Sequence, residues 1–533
     1  MSANPSQDFY APTTAELHAA VARLTTLQLR RAFFAKLENP LWVAEFRKLK
    51  WFSNPPTIEL LEDGSYRVDP WPEIDYLVRM APQLPRPVAL ALNDAINTDN
   101  PWVRRGIWEA AARLPAAQIA PLVPKMKSWA GDGLGNSRTD FRDISRAIVI
   151  LLEGGEHKRG VSLADTYYEP QPPAKESEFG LHEPSAGIDQ YGYAETLSSV
   201  AAALGSGRLR ILRRWLEKYQ VASMSYDPRL QEDTSYIWRP TVAGGPLHHA
   251  REIGDSLVEV TRDAATESIA RMPSSIETLI KSDQPLLHRI ALYALANVLA
   301  DEHQLARVDD SAMKRRHQLL TLAAKLSANE TYLENAFRPE YVSLVKAAAS
   351  WQSRVDLEPL WQMIEQGPPA IRDDRVTRFA RDGDTEADTA ARIEAYVETW
   401  QHGLLSAIGR DNLSDALTQR LAHLDAGRGV IEKPNEPAWQ VHSFSGPISP
   451  LDVDQVKSMS DDQLLEQLRT WHPDPGNWAG PTHEGQGRVV TDALTAQPGR
   501  LADRGNEIQA LRPTYARAAR YASAGYKFTA TPH

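Results

Sequence analysis

The sequence predicts an all-α protein, an irregular array of short helices with long loop insertions. Three observations carry that expectation. Apolar residues recur at three- and four-residue spacing through most of the chain, as one buried helix face requires. Pro, Asn-Pro and Asp-x-Pro phrases cut that period at short intervals, which sets many helix starts close together. Strand-like alternation is nearly absent; Tyr66-Arg67-Val68 is the best candidate and is too short to seed a sheet.

The first helix is expected at Thr13-Thr14-Ala15-Glu16, where Thr and a Glu three residues on can close a capping box ahead of Leu17, Val21 and Leu24. Asn39-Pro40-Leu41-Trp42 restarts the chain, with Trp42, Phe46 and Leu49 on one face, and Ser53-Asn54-Pro55-Pro56 stops it. Between Trp71 and Trp129 four helices follow one another, marked by Leu77-Val78, by Val88, Leu92 and Ile96, by Asp99-Asn100-Pro101, and by Pro115-Ala116. Connections this short describe antiparallel helix pairs. Residues 153–190 hold Gly154-Gly155, Pro170, Pro172-Pro173 and Pro184, and read as an irregular linker or insertion. Helical period returns at Tyr193–Leu204 and Leu209–Tyr219, lapses over Ser223–Pro246, and runs from Leu257 to Leu424 with breaks near Gly367-Pro368-Pro369 and Asp382-Gly383-Asp384. Residues 426–458 are a Gly- and Pro-rich linker, and Ser460-Asp461-Asp462-Gln463 is a second capping box. The expected divisions are therefore helical blocks at 1–152, 191–425 and 459–533, separated by 153–190 and 426–458.

Composition bounds function. The chain has 533 residues, and 24% of them are charged and 42% apolar, which excludes collagenous, coiled-coil-only and wholly disordered classes. Cysteine is absent, which removes thiolate zinc sites, disulfides and cysteine nucleophiles. The formal charge of −10 argues against a dedicated nucleic-acid binder. The N-terminus has neither a basic nor an apolar leader region, and the longest aliphatic run, Ala147–Leu152, is far below the ~20 residues a membrane span needs. The expectation is a cytoplasmic protein with no membrane contact.

One internal match stands out. Asp99-Asn100-Pro101-Trp102-Val103-Arg104-Arg105 and Asp283-Gln284-Pro285-Leu286-Leu287-His288-Arg289 lie 184 positions apart, and the match continues to Ala110 with Ala294 and Ala112 with Ala296. Asp is expected as the cap, Pro in the first turn, Arg105 and Arg289 on a polar side, and Ala at close helix contacts. A second match pairs Phe337-Arg338-Pro339-Glu340-Tyr341 with Leu511-Arg512-Pro513-Thr514-Tyr515, and Trp238-Arg239-Pro240 shares its Arg-Pro.

The Asp-x-Pro-x-[Val/Leu]-x-Arg…Ala pattern resembles HEAT-type repeats over segments 72–130 and 257–350, which implies an irregular HEAT-like α-solenoid. Phe33-Phe34-x-x-Leu37-x-Asn39-Pro40-x-Trp42, Tyr236-Ile237-Trp238-Arg239-Pro240 and Leu511-Arg512-Pro513-x-Tyr515 resemble the helical-repeat arms of large bacterial multidomain proteins, including NTPases of anti-phage defence. This chain departs from them in having no nucleotide-binding module, so that resemblance implies scaffold or sensor duty beside a separately encoded NTPase or nuclease. The last helix, near Tyr515–Ala524, lacks the polar capping helix that ends a solenoid, so the C-terminal block is expected to be incomplete.

Catalytic spacings are missing. No Gly-Lys dipeptide occurs, so there is no P-loop; Gly131-Asp132-Gly133-Leu134-Gly135 follows a helix and reads as an interhelical loop. His442-Ser443-Phe444-Ser445-Gly446 lacks the first Gly and the strand of a nucleophile elbow. The nearest metal-like cluster is His248-His249-x-x-Glu252-x-x-Asp255, where His248 and Glu252 share a helix face; a solvated helix start accounts for it as well. His157, His182 and His483 read as loop residues, and Asp373-Asp374, Asp382/Asp384 and Asp461-Asp462 as helix caps or solvated acids. Arg208, Arg210, Arg213, Arg214 and Lys218 form a basic strip interleaved with Leu209, Leu212, Trp215 and Leu216, and Lys314-Arg315-Arg316-His317 is a shorter one; both read first as solvated faces. Trp102, Trp108, Trp215 and Trp238 are expected in interhelix packing. No catalytic, cofactor-binding or metal-binding residue is assigned. The expected function is a non-catalytic scaffold or recognition protein with a protein partner. The alternatives are an enzyme whose polar or metal site is not linear in sequence, centred on His248, His249 and Glu252, or a nucleic-acid sensor using the Arg208–Lys218 face.

Overall fold

The computed structural model describes residues 9–130, 140–173, 184–244, 252–304, 310–351, 354–371, 379, 385–434, 449–473, 481–497 and 499–520. They are all-α apart from two short hairpins, and fall into two compact units, Met1–Pro437 and Ala438–His533.

The first unit begins with α1 (Thr14–Arg23), α2 (Leu27–Lys36) and α3 (Trp42–Lys48). The Thr13–Glu16 capping box is formed as the sequence predicts. Tyr66–Val68 does pair, with Ile58–Leu60 in register Ile58 to Val68, across a turn in which Gly64 takes φ +78°. Proline opens α4 (Pro72–Met80), α5 (Pro85–Ala95) and α6 (Pro101–Ala111), where its missing N–H costs nothing. Next come the short α7 (Ala116–Ile119) and α8 (Val123–Lys127), then α9 (Phe141–Glu153), α10 (His157–Tyr168), α11 (Gln190–Ala203) and α12 (Arg208–Ala222). A hairpin of Tyr226–Asp227 with Glu232–Asp233 and one helical turn, α13 (Ser235–Trp238), lead to α14 (Glu252–Arg271). The unit closes with α15 (Glu277–Ile280), α16 (Pro285–Gln304), α17 (Asp310–Ser327), α18 (Arg338–Ala349), α19 (Glu358–Gln366), α20 (Glu386–Ile408) and α21 (Asp415–Arg428).

Packing between these helices follows a rule. α2 packs on α4, α4 on α6, α6 on α9, α9 on α11, α11 on α14, α14 on α16, α16 on α18, and α18 on α20. Each member of this row meets the next across an intervening connection, and one apolar cluster from Leu17 to Leu424 runs beneath the unit.

The row corrects the expectation for residues 153–190. That stretch carries α10, whose Gly160, Leu163, Ala164, Tyr167 and Tyr168 are buried, and α9 and α11 on either side of it touch each other. Gly154-Gly155 is a tight turn rather than the start of a linker. Gly155 takes φ +89°, and Gly160 lets α10 approach Leu152, where a Cβ would stand 2.8 Å from its side chain.

The 184-residue match is visible in hydrogen bonds. The amides of Asn100 and Gln284 donate to the hydroxyls of Thr98 (3.1 Å) and Ser282 (3.4 Å). Arg104 Nε donates to the Thr98 carbonyl at 3.0 Å, and His288 Nε2 to the Ser282 carbonyl at 2.7 Å. The carboxamides of Asn100 and Gln284 each donate to an earlier backbone carbonyl, Asp69 at 2.9 Å and Glu217 at 3.2 Å. Asn100, not Asp99, caps α6, accepting from the Trp102 and Val103 amides; Asp99 instead accepts from the Ile58 amide at 3.1 Å.

In the second unit α22 (Val453–Ser458), α23 (Asp461–Thr470), α24 (His483–Ala496), α25 (Gly505–Gln509) and helical residues 513–520 surround Val456, Leu464, Leu465, Leu468, Val490, Leu494 and Tyr515. The Ser460–Gln463 capping box is formed, and α22 falls inside the stretch expected to be a linker. Arg500 ties the α22–α23 connection down, donating to Val456 O at 2.9 Å and to Asp461 at 2.8 Å.

Candidate functional site

The basic strip is the sequence-predicted feature that the structure sets in a groove. Along α12 the apolar side, Leu209, Leu212, Trp215, Leu216 and Tyr219, is buried, which turns the cationic side outward. Most of that charge is answered internally. Arg208 pairs with Glu267 of α14; Arg213 Nε with Glu217 at 2.9 Å; Arg214 with Asp165 and, at 3.2 Å, with Glu169; and Lys218 with Glu169. Trp215 Nε1 donates to Asp165 at 2.9 Å, so that carboxylate anchors the core side of α12 as well as Arg214. Arg210 has no ion pair or hydrogen bond from its side chain among the described residues.

Two grooves flank this helix. One, of about 650 Å³, is lined by His157, Lys158 and Val161 of α10 and by Arg210, Arg213 and Arg214 of α12. The other, of about 840 Å³, lies between Pro170, Pro172 and Pro173 on one side and Lys218, Val221 and Gln284 on the other. Arg214 and Glu217 line both. Glu217 is held in place by Arg213 and by the Ser282 hydroxyl, which donates to it at 2.7 Å. Sequence reasoning found the α12 cations but missed Lys158 and the proline wall, because it read 153–190 as irregular. The recurrence of Gly160, Leu163, Ala164, Tyr167 and Tyr168 at helical spacing was the available signal.

A second polar concentration is wholly interior. Arg289, expected on a polar side, is fully buried and meets Glu340, itself 1% exposed, through two bonds of 2.9 and 3.1 Å. Arg289 also donates to Pro240 O at 2.8 Å, and Glu340 accepts from the Val242 amide at 2.6 Å. Arg239, also fully buried, donates to Asp255 at 2.6 Å. The phrases around Arg239-Pro240, Arg289 and Pro339-Glu340 thus converge to pin the Pro240–Val242 loop. Buried charge of this kind persists because pairing and backbone contacts compensate desolvation. Nearby, burial raises the Asp233 carboxyl above its ordinary value and lowers the His288 imidazole below its own.

The remaining candidates separate. His248 and His249 lie outside the described residues, as do Gly131–Gly135, His182, Asp373-Asp374, Asp382/Asp384 and His442–Gly446. Glu252 starts α14, and Asp255 is taken by Arg239. Among the described residues no three His, Asp or Glu side chains are grouped to hold a metal ion. His157 Nε2 lies 3.3 Å from Leu204 O, and Arg315 and Arg316 share Glu302. Asp461 and Asp462 sit in the first turn of α23 and pair with Arg500 and Arg504. His483, expected in a loop, opens α24 and bonds Tyr515 Oη at 2.7 Å; burial pushes that phenol up to about 12. Trp108, Trp215 and Trp238 are buried as expected, whereas Trp102 is 36% exposed and lines a surface pocket with Ile74 and Asp75 of α4.

The fold defines an all-α protein with no helix, among the described residues, long and apolar enough to cross a membrane. Comparison with protein-family models, curated proteins and solved structures found no match to this chain.

Proposed function

We propose that this chain is a non-catalytic helical-repeat scaffold or recognition protein, HEAT-like in architecture, that works beside a separately encoded effector. The observation that carries the reading is the row from α2 to α20, in which each helix packs on the next member of its own row. Stacking of this kind lets one core continue from unit to unit and leaves long side surfaces open for a partner. The matched hydrogen bonds at the starts of α6 and α16 support a repeated structural unit behind the sequence match. The resemblance to helical arms of bacterial NTPases suggests an NTPase or nuclease as the effector. Affinity purification of the full-length chain at native expression, read by mass spectrometry, tests the reading. One stoichiometric partner is expected; recovery of the chain alone overturns it.

A further inference from the structure

We propose that the two grooves along α12 form one channel that takes an extended, acidic-then-apolar peptide segment of a partner protein. The inference rests on the recognition reading above and names the surface and the chemistry it selects.

The two grooves adjoin at Arg214 and Glu217, which line both. Its two ends differ in chemistry. At the α10 end Lys158, Arg210, Arg213 and Arg214 face one carboxylate, Glu217. Lys158 and Arg210 are exposed and carry no ion pair among the described residues, so their charge is available to an anion. At the other end Pro170, Pro172 and Pro173 oppose Val221, which is 44% exposed, and Ala222. The proline wall is held extended by the bridge from Gln171 to Ser185. Proline has no N–H to donate, so this wall presents apolar rings and carbonyl acceptors to a guest backbone. Gln284 closes this end of the channel: the residue is 93% buried, and its Nε2 is fixed by donating to Glu217 O.

Length and charge select the guest. Arg210 to Val221 spans eleven helical steps, about 16 Å, which matches roughly five residues of extended chain. A nucleic acid fits less well. Non-specific binding of useful strength draws on roughly six to ten phosphate contacts, and this channel offers two free cations. Apart from the His157 imidazole, its lining contains no aromatic ring on which a base could stack.

The test is a selection from a random heptapeptide phage library on the full-length protein, followed by fluorescence anisotropy of the enriched peptides. Acidic residues adjoining apolar ones are expected to be enriched. The Lys158→Glu/Arg210→Glu double variant should weaken binding about tenfold or more, and more strongly at low salt. Val221→Asp should weaken it by a similar factor, and Lys314→Glu, on a remote exposed helix face, should leave it unchanged. All the substituted side chains are exposed, and a melting curve by circular dichroism checks that each variant folds. Enriched peptides without the acidic–apolar pattern, binding indifferent to both variants, or tighter binding of a labelled oligothymidylate each overturn the channel. The native purification, repeated with the double variant, separates the two readings. A partner recovered equally by both proteins keeps the scaffold and sinks the channel. Its loss from the double variant alone supports both. No partner from either protein sinks the scaffold reading, and the peptide selection then decides the channel by itself.

Discussion

The starts of α6 and α16 carry matching phrases and share three hydrogen bonds, and then part company most sharply at one arginine. In both, a hydroxyl three positions before the helix receives an amide, and a side chain in the first turn locks the carbonyl of that same residue. Arg105, the next residue in the first copy, is exposed and lines a small surface pocket beside Trp102. Arg289, its counterpart, is sealed against Glu340. The difference lies outside the phrase. α16 has α18 beside it with a carboxylate at the right height, and the Pro240–Val242 loop closes over both. A repeated motif thus fixes how a helix begins, while its neighbours decide what its charged residues do.

The sharpest way to break this comparison is Glu340→Ala. It strands the Arg289 guanidinium in the interior and removes the acceptor of the Val242 amide, a loss of about 3–5 kcal/mol. A much lower urea midpoint for the full-length chain is the expected result, and a shift under ~1 kcal/mol would show that water reaches Arg289. Replacing both partners by apolar residues should recover only part of the loss, because the Pro240 carbonyl and Val242 amide stay orphaned.

Gly106→Ala is the next largest change. A Cβ there would lie 2.1 Å from Ile74 Cγ1 and 3.2 Å from its Cβ, so α6 and α4 must separate. Overpacking of this order costs about 1–3 kcal/mol. The matching position in α16 already carries Ile290, fully buried, so the two copies are spaced differently from their neighbours. Ile290→Gly would therefore leave a cavity in the second copy rather than relieve a contact. Paired urea titrations of the two variants measure that asymmetry, and a Gly106→Ala protein as stable as the parent would remove it.

What the sequence made legible follows the same division. The Thr13–Glu16 and Ser460–Gln463 boxes and the prolines that open α6 and α16 were readable because cap and helix are adjacent in the chain. Helix α10 was missed because Gly154-Gly155 and the prolines at 170, 172, 173 and 184 resemble loop composition, although Gly155 serves the turn into that helix. The cations of α12 were legible as a stripe, but their neutralisation by Asp165, Glu169 and Glu267 depends on residues 45 to 59 positions away. Arg289 and Glu340 are 51 positions apart, and no local pattern announces their meeting.

His288 offers a pH test of the lock that the two copies share. Its Nε2–H donates to the Ser282 carbonyl while Nδ1 accepts from Tyr332 Oη at 3.1 Å, and burial holds the ring below its ordinary value of 6.5. The folded ring is therefore neutral where the unfolded one begins to bind a proton. Its contribution to stability is complete above 6.5 and declines as pH falls below that value. Arg104 does the same work in the first copy without titrating. His288→Gln keeps a donor for Ser282, so it should flatten the fall in urea midpoint between about pH 7.5 and about pH 5.5. An unchanged slope would place the acid sensitivity elsewhere.

The smallest effect is the most specific to the comparison. Arg105→Ala removes a side chain that makes no ion pair among the described residues, so the urea midpoint should move by no more than about 0.5 kcal/mol. Arg289→Ala, at the matching position, leaves Glu340 as the uncompensated charge and should cost about as much as Glu340→Ala. If Arg105→Ala were as damaging as Arg289→Ala, the arginine would belong to the repeated unit itself. If it is silent, the repeat ends at the carbonyl lock, and the salt bridge is an addition made where α18 arrives beside α16.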